Sequence, residues 1–345
     1  MKRLFLLGYC IVASLSFAQV VLGSFSLNNI KYLWPGEGLL PEERSFLSQS
    51  QFRAGFSWVP SGSQTVMIAM PIAKVEPQPI RWLLESNKPE KCFGYGQVYQ
   101  QKNLEGASRL MLFHLNKTEK LGYITLKVTP KKPSIVWLNG GVSGPDTSEL
   151  YVGQRLMRTF LDNEQAPLGV ENGYTRTWVV GPGQVLGGLL DIWTDPPAPY
   201  DVELYFHGDP VMDGSFPVLG SSPRFSYHEL SSRIIMKMDS LRYNMNIGRD
   251  NYLQSGVETL EGNYGVMHRF TVVFLHSGKY VVSFTANGGP ARLIARVGDQ
   301  LWNSYAKTEA KVLELDISSP QEILVETIPL PGSNYPATLT IQKKP

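Results

Sequence analysis

The sequence predicts an all-β protein of β-sandwich architecture, in two sandwich-like lobes with one or two short helices. Three observations carry that expectation. Short runs rich in β-branched and aromatic residues recur along the chain, bounded by Gly, Pro or Ser. Turn formers are abundant, with 32 glycines and 24 prolines in 345 residues, above ordinary usage. Helical periodicity is confined to two places.

The chain opens with MKRLFLLGYCIVASLSFA. Lys2 and Arg3 precede an uncharged apolar run, and Ser16 and Ala18 supply the small residues of a cleavage site. This is the pattern of a secretory signal over residues 1–18, with a second possible cut after Gly23. Retention as an N-terminal anchor is the competing reading, because the run from Leu4 to Gly23 reaches the ~20 residues that span a bilayer. Ser14, Ser16 and Gln19 dilute the run and favour cleavage. Cys10 lacks the small neighbour of a lipoprotein site. Export leaves Cys92 as the one cysteine, so no disulfide forms within the mature chain.

Strands are predicted at Val66–Ile72, Leu121–Val128, Val202–His207, Val312–Ile317 and Ile323–Ile328. Val266–His276 and Lys279–Thr285 read as two strands, and Ser277-Gly278 between them reads as a two-residue hairpin turn. Glu149–Asn163 predicts a surface helix through Leu150, Leu156, Met157, Phe160 and Leu161. Pro41–Ser50 begins like a second, with proline at the first helical position. Met236–Gly265 reads as irregular. Thr194–Tyr200 holds three prolines, stiff and poorly suited to a central strand. It is the best sequence boundary, dividing an N-terminal β-rich domain (24–195) from a C-terminal β-sandwich domain (200–345).

Several stretches resemble a secreted family of unknown function found mostly in cyanobacteria. They are Gly262–Val266 opening a strand, the stretch Gln321–Ile341, Leu112–Thr118, and Gly181–Gln184 before Val185–Trp193. Gly208–Leu260 has no counterpart. The resemblance implies a β-rich envelope protein, and it brings no catalytic residues with it.

Charge and motifs exclude much. The chain has 32 basic and 30 acidic residues, and Lys2 and Arg3 account for the excess. The balance gives no reason to expect nucleic acid or an anionic membrane as partner. No later segment has the ~18 uninterrupted apolar residues of a membrane span. Nucleophile-elbow, zinc-protease, P-loop and dinucleotide fingerprints are missing, so no cofactor is implied. His268 and His276 lie about 27 Å apart on a regular strand at ~3.4 Å per residue, too far to share an ion. Both read as rim residues of the core.

The densest polar cluster is His207-Gly208-Asp209 with Asp213, downstream of Asp191, Asp195 and Glu203. Asp209 and Asp213 are candidate calcium ligands, although their spacing also suits two turn formers beside glycine. Trp137, Tyr151, Trp178, Trp193, Tyr200, Tyr205 and Tyr227 are candidates for stacking on sugars or partners, and equally for core positions. Asn116-Lys-Thr118 matches a glycosylation sequon. The leading expectation is an exported, non-enzymatic envelope protein with a binding or structural role, its partner a protein, a glycan or another envelope component. A carbohydrate-binding or carbohydrate-active protein is the first alternative. A periplasmic assembly factor that recognises strands by edge pairing is the second.

Overall fold

The computed structural model describes residues 78–344, apart from 163–166, 210–211, 213–214, 227, 237–241, 249–251, 255–257 and 307–312, and four strand segments before residue 78. The signal at residues 1–18 and the helix expected at Pro41–Ser50 lie outside the described residues. The chain divides into two compact units, Met1–Pro77 with Ala166–Gly169, and Gln78–Gln165 with Val170–Pro345. In the first unit β1 (Val21–Leu22), β2 (Lys31–Leu33), β3 (Arg53–Ser61) and β4 (Gln64–Ile72) form a sheet in the order β1-β4-β3-β2.

Among the described residues the second unit is all-β around one α-helix. Its strands are β5 (Ile80–Ser86), β6 (Lys91–Cys92), β7 (Gly96–Leu104), β8 (Ala107–Asn116), β9 (Gly122–Pro130) and β10 (Ile135–Asp146). After helix α1 (Glu149–Asp162) come β11 (Leu168–Glu171, whose first two residues fall in the first unit), β12 (Tyr174–Val180), β13 (Val185–Asp195), β14 (Tyr200–His207) and β15 (Arg224–Phe225). The remainder comprises β16 (Glu229–Met236), β17 (Arg242–Ile247), β18 (Tyr252–Gln254), β19 (Glu258–Leu260), β20 (Met267–Phe274), β21 (Gly278–Ala286), β22 (Ala291–Val297), β23 (Gln300–Ala306), β24 (Leu313–Ile317), β25 (Gln321–Thr327) and β26 (Ala337–Lys343).

These strands build two sandwiches. In the first, the sheet β10-β13-β8-β5-β15 faces the sheet β12-β9-β14-β7. Tyr200 links the layers, its hydroxyl lying 2.8 Å from Ser108 Oγ and donating within 3.1 Å of the Ile192 carbonyl. In the second, the sheet β16-β20-β25-β22-β23 is paired with β17-β26-β21-β24. Phe270, Val272, Phe274, Val282, Phe284, Leu339 and Ile341 fill its core. The alternation in these strands is the ordinary consequence of a pleat with one buried face.

The proline-rich stretch 194–200 carries the chain from β13 to β14, across the first sandwich from one sheet to the other. Thr194 Oγ1 caps this crossing, donating to the Ala198 carbonyl and accepting from its N–H, each at 2.9 Å.

Helix α1 differs from the expected surface helix. Val152, Gly153, Leu156, Met157 and Leu161 are buried. They share one cluster with Met111, Phe113 and Leu189 of the first sandwich and with Ile294, Ile328 and Leu330 from the second. An apolar stripe fixes which face is covered, not what covers it. Here both sandwiches cover it, and every residue of β8 is buried as a result.

The hairpin expected at Ser277-Gly278 is corrected. β20 pairs with β16 and β25, whereas β21 pairs with β24 and β26. The connection therefore steps from one sheet to the opposite one. Two β-type runs joined by a short turn fit antiparallel neighbours and strands facing each other across a core equally well. Met236–Gly265 likewise contains the strands β17, β18 and β19 in place of an irregular stretch.

Candidate functional site

The acidic cluster is dispersed in the fold. Asp191 lies on β13 opposite Arg109 of β8 and is bound by it in two contacts of 2.8 and 3.1 Å. Asp195 is exposed at the end of β13. Asp209 is exposed, and its backbone carbonyl, not its carboxylate, accepts from His207 Nδ1 at 2.6 Å. Asp213 lies outside the described residues. Among the described residues no group of three or more His, Cys, Asp or Glu is placed to hold a metal ion.

The histidines separate in the same way. His268 is buried beside Phe270 on the inner face of β20, and His276 sits beyond the strand end. His114 is fully buried on β8. Its Nδ1 donates to the Pro89 carbonyl at 2.9 Å, so its Nε2 accepts from the Ser86 hydroxyl at 2.8 Å. Burial lowers its pKa to about 4, against the smaller opposing effect of the Pro89 bond. The hydroxyl–imidazole geometry matches a nucleophile and base, but neither residue is exposed at all, so no substrate reaches them. Cys92 lies 3.9 Å from the same ring, and burial pushes its thiol up to about 12.

Of the aromatic candidates, Trp137, Trp193 and Tyr200 belong to the core, with the two tryptophan rings stacked at 6.4 Å. Trp178 is half-buried under Arg176, Tyr151 is exposed on α1 under Arg155, and Tyr227 lies outside the described residues. Tyr205 is the one that meets other candidate residues on an open surface.

That surface is the outer face of the sheet β12-β9-β14-β7. Ile124, Leu126, Val202, Leu204 and Phe206 alternate inward, which turns Tyr123, Thr125, Lys127, Glu203, Tyr205 and His207 outward. Register places Tyr205 opposite Thr125 and Gln97, and Glu203 opposite Lys127 and Gln100. Gln97 Nε2 donates to the Tyr205 hydroxyl at 3.1 Å, and Gln100 Nε2 to Glu203 at 2.7 Å. Partial burial, reinforced by the Glu203 carboxylate, pushes the Tyr205 phenol up to about 12. It therefore stays a neutral donor and acceptor.

One end of the face is aromatic. Tyr123 stacks on His207 at 5.7 Å, and Phe216 contacts both His207 and Tyr205. The His207 ring is held as a particular tautomer: with Nδ1–H given to Asp209, Nε2 accepts from Thr125 Oγ1 at 2.7 Å. Thr125 in turn accepts from Thr177 Oγ1 at 2.7 Å. This chain of bonds fixes the orientation of the His207 ring on the face. The segment Pro217–Ser222 covers the β7 edge, with Gln97 and Leu219 exchanging backbone bonds at 2.8 and 2.9 Å with Pro217 and Gln97 respectively.

Sequence reading picked out Tyr205 and Glu203 and missed Gln97, Gln100, Tyr123 and Lys127. Only the alternation of β9 and β14 signalled that Tyr123 and Lys127 share a face with Tyr205.

No protein-family model and no curated protein matches the chain. A solved structure, that of Lac15 from a marine microbial metagenome, aligns with 84% of this chain and 72% of its own at 9% identity and a TM-score of 0.17.

Proposed function

We propose that the protein is an exported component of the cell envelope that acts by binding, and that the outer face of β12-β9-β14-β7 takes a glycan. One observation carries the reading: Tyr205 and Tyr123 lie half-buried on the same sheet face as Gln97, Gln100, Glu203 and Lys127. A sugar ring offers an apolar face of C–H groups and a rim of hydroxyls. Amphipathic aromatic rings suit the first. Planar amide and carboxylate groups suit the second, and each glutamine keeps a carbonyl oxygen and a second N–H beyond its bond within the face. Export rests on Lys2, Arg3 and the apolar run that follows them, and agrees with the resemblance to a secreted family.

Titration calorimetry against a panel of soluble polysaccharide fragments tests the glycan. Tyr205→Ala and Glu203→Gln are expected to weaken binding about tenfold each, within the range for losing one ring or one charged hydrogen bond, without lowering the melting temperature. Absence of binding across the panel, or binding indifferent to both changes, would sink the proposal. Export is read from the N-terminus of the secreted chain, expected at Gln19 or Ser24.

A further inference from the structure

One end of the first sandwich presents apolar side chains where a soluble surface would hold polar ones. Phe93, between β6 and β7, is 75% exposed, the highest value among the large apolar residues described. Leu121, just before β9, is 53% exposed. Hydrogen bonds join the loops that carry them. The Lys117 N–H donates to the Cys92 carbonyl at 2.9 Å, and the Tyr95 hydroxyl to the Leu121 carbonyl at 3.2 Å. The Tyr95 ring packs on Phe206 at 5.2 Å, so the inner side of this tip is anchored while Phe93 projects.

The 117–120 loop is equally well fixed. Asn116 Nδ2 donates to the Lys120 and Val180 carbonyls at 2.9 and 2.8 Å, and its Oδ1 accepts from the Thr118 N–H and hydroxyl at 2.9 and 2.7 Å. Backbone groups near the tip are thus satisfied from within the protein, as contact with a low-dielectric layer requires.

Charge surrounds the two apolar residues. Lys91, Lys117 and Lys120 are all exposed, and Lys91 acts on its neighbour Glu90, drawing the Glu90 carboxyl down against the effect of burial. Glu119 is exposed among them. Glu90 is half-buried, and burial together with Glu149 holds its carboxyl above the usual range. The three lysines are more exposed than Glu90, which burial withdraws from the surface.

We propose that this tip docks on an anionic lipid surface, with Phe93 and Leu121 entering the headgroup–acyl boundary and Lys91, Lys117 and Lys120 set against the lipid phosphates. Partition of an apolar tip into the boundary scales with the buried apolar area and is reinforced by anionic lipid. A cation near such a surface contributes about fivefold in affinity. Removing the three lysines together therefore costs roughly a hundredfold, an effect that salt screens. The tip does not use Tyr205, Glu203, Gln97 or Gln100, and it adjoins the proposed glycan face only where Leu121 precedes Tyr123.

Sedimentation of the full chain with phosphatidylcholine vesicles, with and without phosphatidylglycerol, tests the proposal. Any binding by the apolar N-terminal run is the same in every variant, so the comparison between variants reads the tip. The triple change Lys91→Gln, Lys117→Gln, Lys120→Gln should reduce partition onto anionic vesicles on the order of a hundredfold at low salt, and the difference should shrink at high salt. Phe93→Ser with Leu121→Ser should reduce it about tenfold or more. Tyr205→Ala should leave it unchanged, and the triple lysine change should leave glycan binding unchanged. Unaltered melting temperatures are expected, since these side chains are exposed. Partition that ignores both sets of changes, or that is equal on neutral and anionic vesicles, overturns the assignment.

Discussion

Arg109 and Asp191 face each other across β8 and β13, and the guanidinium closes on the carboxylate through Nε and Nη2. Both side chains are nearly buried. The Arg109 guanidinium also lies 4.7 Å from the centre of the Phe160 ring on α1. The pair thus joins the first sandwich to the helix that the second sandwich covers. Removing one partner leaves a buried charge without compensation. Asp191→Ala is expected to cost about 3–5 kcal/mol, and replacing both residues by apolar ones of similar volume to restore most of that loss. Urea midpoints of the two single variants and the double variant check this, and additive losses would refute the coupling.

Asn116 was readable in the sequence as a glycosylation site or as an ordinary turn. In the fold its side chain is buried and makes four hydrogen bonds. An enzyme that attaches glycan to the Asn116 amide cannot reach it in the folded chain. Expression in a glycosylating secretory host should give protein whose mass is unchanged by endoglycosidase. Asn116→Ala should cost roughly 2–3 kcal/mol, because the carbonyls of Lys120 and Val180 lose their donor. A glycan found on Asn116 of the folded protein would contradict the placement.

His114 makes stability depend on pH. The folded ring titrates near 4, below its ordinary 6.5, because it is buried. Between those values the unfolded chain binds a proton that the folded chain refuses. Stability from this residue is therefore intact above about pH 6.5 and is lost as pH falls towards 4. The loss between pH 7 and pH 5 is about 2 kcal/mol. His114→Gln removes the titration while keeping a polar group beside Ser86. The expected result is a shallower fall in urea midpoint from pH 7 to pH 5 than in the parent chain. Parallel curves would show that His114 is not the titrating group.

Legibility in the sequence followed the range of the interaction. Helix α1 was readable from Leu156, Met157 and Leu161, since the stripe is local, but its covering by Ile294 and Leu330 was not. The strands β20 and β21 were readable as strands. Their membership of opposite sheets was not, because Phe270 and Phe284 point into one core from either side. Tyr205 and Glu203 show a shared face through their spacing of two. Gln97 and Gln100 join that face only through the β7–β14 register, which shifts between Leu204 and Tyr205. The lysines at the tip were hidden for a different reason. Net charge averages over the chain, while Lys91, Lys117 and Lys120 are gathered by the pairing of β6 with β8.

At Gly153 two effects oppose each other. Alanine in a helix interior is worth about 1 kcal/mol over glycine, so intrinsic propensity alone makes Gly153→Ala stabilising. The structure reverses the sign. A β-carbon at Gly153 would run into the Pro331 carbonyl oxygen, which is backbone and cannot swing aside. From the other side, Gly332 has φ +87° and lies against the Glu149 carbonyl. Two glycines thus let the first turns of α1 and the Pro331–Gly332 turn meet backbone to backbone. Overpacking at such a contact costs about 1–3 kcal/mol and outweighs the propensity gain in all but its mildest form. Gly153→Ala should lower the urea midpoint, whereas Arg158→Ala on the exposed side of the same helix should change it by no more than about 0.5 kcal/mol. A rise in midpoint for Gly153→Ala would mean that α1 and the 331–332 turn do not approach as closely as described.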